Sequence, residues 1–391
     1  MANLPSSARD VLGADLRSVL RASATAGNPK RGVSRKNKWD LWVAFCSAHG
    51  VDDPLLPGLA DKLPFLMCFA LQYRDGRLAP QGASVKSRTA EDAVRLIGQT
   101  FTQLGLPDPR FNCHGRMDSR LTNLWKDWNK HDDPPRRLKP IPIQVLHAAQ
   151  RIADTNGSLA LATTARMMWI GFYFLCRPGE YCETGYSQHL FRLCDVQLYL
   201  GAALLDLFTA SPDLLRASSF TSLTFSDQKN SIRGEKVGLA HSGHPIASPT
   251  VAIANQVTHL RANSAPSSTP LCAFCQNGTW FYVTPSMVTN LLREAVAAVG
   301  PSCGILPADI SARSLRASGA MALLCANCDP IKIRLLGRWR SDEMLKYLHI
   351  QAPTLVQDLS QRMLLGGNFS FLPTTVPYEH HQTQPPNLYW G

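Results

Sequence analysis

The sequence predicts a mainly α-helical fold with a small β-hairpin or sheet, that is, an α+β chain of two domains. A length of 391 residues exceeds what one ordinary hydrophobic core needs. Apolar residues recur at helical spacing along most of the chain, whereas residues 219–225 alternate between polar and apolar side chains as a strand does. Residues 131–140 are charged, aperiodic and rich in proline, which predicts a linker between the domains.

The region before this linker, residues 31–130, is predicted to be a small helical domain. Its apolar residues recur every three or four positions, and Gly105 supplies a stop signal for one of the helices. The predicted helices are 39–46, 63–73, 87–104 and 119–128. Residues 1–30 are polar and dotted with arginine, which is typical of a flexible basic arm.

The region after the linker, residues 141–365, is predicted to be the second and larger domain. Residues 219–225 and 236–240 are expected to form a hairpin around turn residues 227–234. The predicted helices are 141–153, 159–175, 285–299, 314–326, 331–335, 341–349 and 354–365. Residues 366–391 are rich in proline, and we expect an extended or disordered tail.

The charge of the chain favours a polyanionic partner. The formal net charge is +11 and the sequence pI is about 9.2, and nucleic acid is the commonest partner of such proteins. The alternative is a basic surface without a dedicated ligand. Candidate DNA-binding side chains in the first domain are those of Lys36, Lys38, Lys86, Arg88 and Lys126. No segment is predicted to span a membrane, and no secretory signal is apparent at the N-terminus.

Eleven cysteines without framework-like spacing predict free thiols in a reducing compartment. Two Cys-x-x-Cys pairs, 272/275 and 325/328, would offer four thiolates to a structural zinc ion if the fold joined them. The alternative, small cysteines packed in or near the core, is favoured because the second pair ends an apolar helical stretch. We therefore expect neither a metal nor another cofactor.

Two C-terminal segments resemble the catalytic core of the tyrosine recombinase (phage integrase) family. They are Ser311-Ala-Arg-Ser-Leu-Arg316 and the run Leu336-Gly-Arg-Trp-Arg-Ser-Asp-Glu-Met-Leu-Lys-Tyr347. In that family a His-x-x-Arg opens a helix, a Leu-Gly-His or Leu-Gly-x-Trp element follows, and the nucleophilic tyrosine lies about ten residues beyond that glycine. Recombinases of eukaryotic mobile elements such as cryptons are especially similar.

Two upstream segments extend the resemblance. Arg177-Pro-Gly-Glu180 resembles the first arginine box of the family, and Lys229 at the predicted turn resembles its lysine, although Lys236 competes for that role. The local alternative for Arg177 is a salt bridge with Glu180. With these residues the order Arg, Lys, Arg, Tyr matches the family along residues 30–365.

The resemblance implies the architecture and the activity of a site-specific DNA recombinase or integrase. Residues 31–130 would be a SAM-like core-binding domain and residues 141–365 the catalytic domain, acting as a tetramer on double-stranded DNA. Tyr347 would form a 3′-phosphotyrosyl link, Arg177 and Arg316 would bind the scissile phosphate, and Lys229 would protonate the leaving oxygen. No cofactor is implied, and the location would be the nucleus of a eukaryote or otherwise the cytoplasm or nucleoid.

The chain departs from the family pattern at two places. Arg313 replaces the usual histidine, and an arginine can donate to phosphate but cannot serve as a general base at neutral pH. Either Arg338 or Trp339 fills the usual His/Trp position, depending on the direction of counting. Three alternatives stay open, namely a descendant that binds DNA without cutting it, a type IB topoisomerase, and an unrelated helical protein with a basic surface.

Overall fold

The computed structural model describes residue 15 and residues 29–340, apart from 79–81, 135–137, 186–188 and 227–233. The chain divides into two compact units, Met1–Pro135 and Arg136–Gly391. Lys229, Tyr347, the predicted helices 341–349 and 354–365 and the predicted tail 366–391 lie outside the described residues.

Four helices build the first unit: α1 (Pro29–Ala48), α2 (Leu63–Arg74), α3 (Ser87–Gln103) and α4 (Ser119–His131). They confirm the four predicted helices, although α1 begins about ten residues earlier than the apolar pattern indicates. Gly105, which the sequence predicted to end a helix, follows α3. Its φ of 80° is the left-handed conformation that commonly ends helices. The core of the unit is aromatic, and Trp42, Phe45 and Phe69 pack there against one another.

The second unit is also mainly helical. Its helices are α5 (Ile143–Asn156), α6 (Leu159–Tyr173), α7 (Pro178–Tyr181), α8 (Pro212–Arg216), α9 (Pro249–Ala262), α10 (Pro285–Val299), α11 (Ser314–Cys325) and α12 (Pro330–Leu336). Helix α6 is the central one, because α5, α9, α10 and α11 all pack against it. Its run of apolar residues is accordingly almost continuous rather than one-sided. In the part of the chain described, no helix has the length and hydropathy that crossing a bilayer requires.

A small antiparallel sheet covers part of the second unit. Its strands are β1 (Val196–Leu200), β2 (Ala203–Leu204), β3 (Phe220–Phe225) and β4 (Glu235–Ala240), in the order β2-β1-β3-β4. Phe225 pairs with Glu235 in the β3–β4 hairpin, which confirms the predicted hairpin and the α+β fold class. A second hairpin, β5 (Ala273–Gln276) with β6 (Thr279–Tyr282), was not predicted, nor were β1, β2 and α9.

Helix α11 lies unusually close to the C-terminal end of α6. A Cβ added at Gly319 would lie 2.3 Å from the carbonyl oxygen of Phe172 and 2.3 Å from a methyl carbon of Leu175. Only glycine permits this approach, which brings the first turn of α11 beside the carbonyls that end α6. A small separate cluster of Leu175, Ala320, Ile333 and Trp339 fills the space between α6, α11 and α12.

We expect Gly319→Ala to lower the free energy of unfolding by about 1–3 kcal/mol, because the added methyl group must displace backbone rather than a flexible side-chain tip. Urea unfolding of the full chain, followed by tryptophan fluorescence, measures the change. Gly179→Ala is the matched control, since its added Cβ would find its nearest neighbour at 3.8 Å. Equal stability of the two variants would contradict the close packing of α6 and α11.

Candidate phosphate-binding site

The first part of the site is the chain reversal after α6. Leu175 has a φ of 48°, so the backbone leaves the helix in the left-handed conformation and its carbonyl turns away from the helix axis. Arg177 then serves as the N-cap of the short helix α7, with Pro178 at the first helical position. The sequence Arg-Pro-Gly-Glu thus encodes a helix start, and this start fixes Arg177 and Glu180 on the same turn.

The carboxylate of Glu180 holds two arginines. One of its oxygens accepts hydrogen bonds from the Arg177 backbone N–H (2.8 Å) and from Nη2 of Arg338 (3.0 Å). The other oxygen accepts from Nη1 of Arg177 at 3.1 Å. Glu180 is buried, with only 4% of its side chain exposed. A buried carboxylate needs such partners, because it has lost its hydration.

Arg316 lies on the first turn of α11 and is also buried, with 3% of the residue exposed. Its two terminal nitrogens donate to the backbone carbonyls of Leu175 and Gly337. Its guanidinium carbon lies 4.2 Å from the centre of the Trp339 ring, a cation–π arrangement. A Cβ at Gly337 would overlap that ring, so glycine is required for the tryptophan to reach Arg316.

Arg338 points into the protein rather than towards solvent. Only 1% of its side chain is exposed, and its guanidinium carbon lies 3.6 Å from the centre of the Phe225 ring at the end of β3. Nη1 donates to the carbonyl of Phe174 at 3.0 Å. The hairpin strand, the end of α6 and the turn after α12 therefore meet at this one side chain.

Positive charge is in excess at this site. The guanidinium groups of Arg177, Arg316 and Arg338 influence one another, and in the described part of the chain Arg177 and Arg338 form ion pairs with Glu180. Burial, together with the positive charges of Arg177 and Arg338, lowers the pKa of Arg316 to about 9. An anion at the site would oppose this shift, since it favours the charged guanidinium. Arg177, with 33% of its side chain exposed, is the member of the group that solvent reaches most easily.

The other predicted catalytic residues are placed as follows. Arg313 is exposed at the N-cap position of α11, one turn before Arg316. Lys236 is exposed on β4, with Nζ 3.5 Å from Oε1 of Gln197 on β1. Lys229 and Tyr347 lie outside the described residues.

The candidate DNA-binding residues all lie in the first unit. Four of them are exposed: Lys36, Lys86, Arg88 and Lys126. Lys38 instead donates to the Tyr73 hydroxyl at 2.5 Å and lies over the Tyr73 ring. This internal contact makes Lys38 the least accessible of the five.

Sequence reasoning missed the residues that fix the base of the β3–β4 hairpin. Asp195 accepts a hydrogen bond from the Arg192 backbone N–H at 2.8 Å and another from the Ser226 hydroxyl. Ser226 directly precedes residues 227–233, which lie outside the described residues. The partner of Ser226 is Asp195, which directly precedes β1. The sequence did not predict β1, because the alternation over its five residues is too weak to be distinguished from other short apolar runs.

All eleven cysteines are free. Among the residues that the structure describes, no three His, Cys, Asp or Glu side chains cluster in a way that could hold a metal ion. The guanidinium groups of the site suit a phosphate or another oxyanion as ligand.

No protein-family model and no curated protein matches the sequence. Several solved structures are similar to the chain. A lambda integrase dimer bound to a COC′ core site has 13% identity and a TM-score of 0.45, covering 86% of this chain and 95% of that one. The Tn1549 transposon integrase in complex with transposon right-end DNA has 14% identity and a TM-score of 0.44, covering 78% and 86%. XerA recombinase has 12% identity and a TM-score of 0.34, covering 88% and 94%. Two of these similar structures are integrases and one is a recombinase.

We expect millimolar sulfate to stabilise the full chain more than chloride of equal ionic strength does, by about 1 kcal/mol once sulfate exceeds its Kd several-fold. The reason is that an oxyanion offsets the excess of positive charge around Glu180. Thermal unfolding measures the effect, and Arg177→Ala should abolish most of it. Arg293→Ala removes an exposed arginine that donates to Pro307, and should leave the response to sulfate intact. If Arg177→Ala responds like the wild type, the anion does not bind at this site.

Proposed function

We propose that this chain is a DNA strand transferase, a site-specific recombinase or integrase that cuts and rejoins DNA through a 3′-phosphotyrosyl intermediate. The observation that carries the proposal is a cluster of three arginines. Arg177 and Arg338 bind the carboxylate of Glu180, and Arg316 donates to the carbonyl of Leu175 beside them. The three guanidinium groups carry more positive charge than the carboxylate of Glu180 neutralises, which suits a negatively charged phosphodiester. The members of this cluster are among the arginines that the family resemblance selected from the sequence, together with the exposed Arg313.

The proposed chemistry explains why arginines are suitable. Attack on a phosphodiester places additional negative charge on the non-bridging oxygens in the transition state. Guanidinium groups in a buried setting stabilise that charge strongly, because little water competes with them. Each guanidinium has five N–H donors in a planar fork, which matches two phosphate oxygens at once.

Arg177 and Arg316 are the proposed phosphate ligands. Arg177 donates one side-chain hydrogen bond to Glu180 and is partly exposed. Arg316 donates to two carbonyls, and its Nε has no hydrogen-bond partner in the described part of the chain. Both therefore retain donors for a substrate. Arg313, exposed one turn before Arg316, is proposed as a further donor.

Tyr347 is the proposed nucleophile. Its hydroxyl oxygen would attack the phosphorus while the bond from phosphorus to the 5′ oxygen breaks, and Lys229 or Lys236 would protonate the departing 5′ oxygen. A second DNA end would reverse the reaction. Because the phosphotyrosyl ester conserves the energy of the phosphodiester, this route needs no nucleotide cofactor and no divalent metal.

The proposed partner is double-stranded DNA, bound by a tetramer of this chain. The first unit would contribute phosphate contacts from its exposed basic residues, and the second unit would contribute the site. A nuclear location would follow in a eukaryotic host.

A second candidate function is DNA binding without cleavage. It is favoured by Arg313, which cannot act as a general base, and by the burial of Arg316 against two backbone carbonyls. Relaxation of a supercoiled plasmid without paired sites would instead indicate a topoisomerase.

We expect the full chain to form a denaturant-resistant adduct with a nicked duplex suicide substrate, drawn from the ends of its encoding element or from a random pool. Tyr347→Phe should lose the adduct completely, because it lacks the attacking hydroxyl. Tyr282→Phe, which alters an exposed tyrosine on β6, is the matched control and should keep it. Absence of the adduct from the wild type, with DNA binding retained, would favour the second candidate.

We expect Lys36→Ala and Lys126→Ala each to reduce the slope of log K against log salt concentration by about 1 if the side chain contacts a DNA phosphate. Fluorescence anisotropy with a labelled duplex measures the slope. Lys62→Ala is the control, since Lys62 donates to the carbonyl of Leu59 within its own loop. Unchanged slopes in both variants would remove these lysines from the DNA-binding surface.

A further inference from the structure

The hydrogen bonds of Arg338 leave it almost nothing to offer a ligand. Nη1 donates to the carbonyls of Phe174 (3.0 Å) and Leu336 (3.3 Å). Nη2 donates to Glu180 at 3.0 Å and lies 3.5 Å from the carbonyl oxygen of Leu175. One face of the guanidinium is against Phe225, and 1% of the side chain is exposed. Four of its five N–H groups thus point at protein acceptors, and the fifth, at Nε, is buried without a hydrogen-bond partner among the described residues.

The backbone at Arg338 adds a second observation. Helix α12 ends in a Schellman motif, in which the Arg338 N–H bonds to the carbonyl of Leu335 and the Trp339 N–H bonds to that of Arg334. In this motif the residue after the C-cap adopts the left-handed conformation and is usually glycine. Here that residue is Arg338, with a φ of 56°. A residue with a Cβ is strained in this conformation, so the contacts of the Arg338 side chain must offset that strain.

Glu180 connects Arg338 to Arg177. The Glu180 oxygen that accepts from Arg338 also accepts from the Arg177 backbone N–H, and the other oxygen holds the Arg177 guanidinium. Without Arg338 the carboxylate would lose one of the partners that fix its orientation. It would also pair with Arg177 alone, and so cancel the charge that Arg177 would otherwise present to an anion.

We propose that Arg338 is a positioning residue, which acts through Glu180 to orient Arg177 and to keep its charge available, and that it does not itself bind the phosphate. This inference rests on the proposed function in so far as the anion is a DNA phosphate. Arg338 differs from Arg316 in the number of protein acceptors that its terminal nitrogens bind, four against two. Under this proposal Trp339 fills the His/Trp position. Its ring lies against the guanidinium of Arg316, one of the residues proposed to bind the phosphate.

The test is a double-mutant cycle between Arg338→Asn and Arg177→Ala. Asparagine tolerates the left-handed conformation, so the substitution removes the side-chain contacts without adding backbone strain. Two quantities are measured on the full chain: sulfate affinity, from the dependence of thermal unfolding on sulfate concentration, and the rate of adduct formation in a single turnover. Sulfate affinity is measurable whether or not the chain cuts DNA.

We expect Arg338→Asn alone to weaken sulfate binding about tenfold, and to slow adduct formation at least as much. In the Arg177→Ala background it should change neither quantity further, because a positioning residue has no effect once the residue that it positions is gone. Arg293→Asn, at an exposed site, is the control and should behave as the wild type.

The possible outcomes are distinct. Additive losses in the double variant, or an unchanged Arg338→Asn, would overturn the proposal. Non-additive losses of sulfate affinity in a wild type that forms no adduct would support the role of Arg338 and contradict strand transfer. If Arg338→Asn does not fold, Arg338→Lys keeps the charge beside Glu180 but loses the planar fork. Its smaller loss should vanish in the Arg177→Ala background in the same way.

Discussion

A carboxylate that has been taken out of water is stable only where hydrogen-bond donors and positive charge replace its hydration. In this protein the carboxylate is that of Glu180, and its partners come from two distant parts of the chain. Arg177 is local, three residues earlier, whereas Arg338 lies 158 residues later along the sequence. Glu180 thereby links the turn after α6 to the turn after α12, and Arg316 links them again through the carbonyls of Leu175 and Gly337. Arg316 and Trp339 lie beside these turns, where their own contacts also hold them.

The end of α6 provides the second constraint. A helix leaves its last carbonyls without partners, and its dipole places partial negative charge there. Here the carbonyls of Phe174 and Leu175, just beyond α6, accept hydrogen bonds from the buried guanidinium groups of Arg316 and Arg338. These carbonyls therefore supply hydrogen-bond acceptors that additional carboxylates would otherwise have to supply. Because carbonyls carry no formal charge, the site keeps its net positive charge while its members stay hydrogen-bonded.

Much of this arrangement could be predicted from the sequence. Most of the longer helices and the β3–β4 hairpin follow from local patterns: apolar spacing, strand alternation and turn residues. The pairing of Arg177 with Glu180, which the sequence offered as the local alternative, is also observed. The inward direction of Arg338 does not follow from such patterns. It depends on a left-handed backbone at a residue type that rarely adopts it, and on a carboxylate that no local pattern connects to it. Helix α9 was missed for a different reason: it is buried on several sides, so its sequence lacks a one-sided apolar stripe.

The separation of the small cluster around Trp339 from the main core has a consequence for the dynamics of the second unit. The cluster contains four buried side chains, those of Leu175, Ala320, Ile333 and Trp339, whereas the main core spans most of the unit. Segments with few buried apolar contacts open at a lower free energy than the core does. Opening of the turn after α12 would therefore expose little apolar surface, and its free energy would be set mainly by the hydrogen bonds of Arg316 and Arg338 to the end of α6 and to Glu180. Amide protons of that turn would then exchange with solvent through this opening rather than through global unfolding.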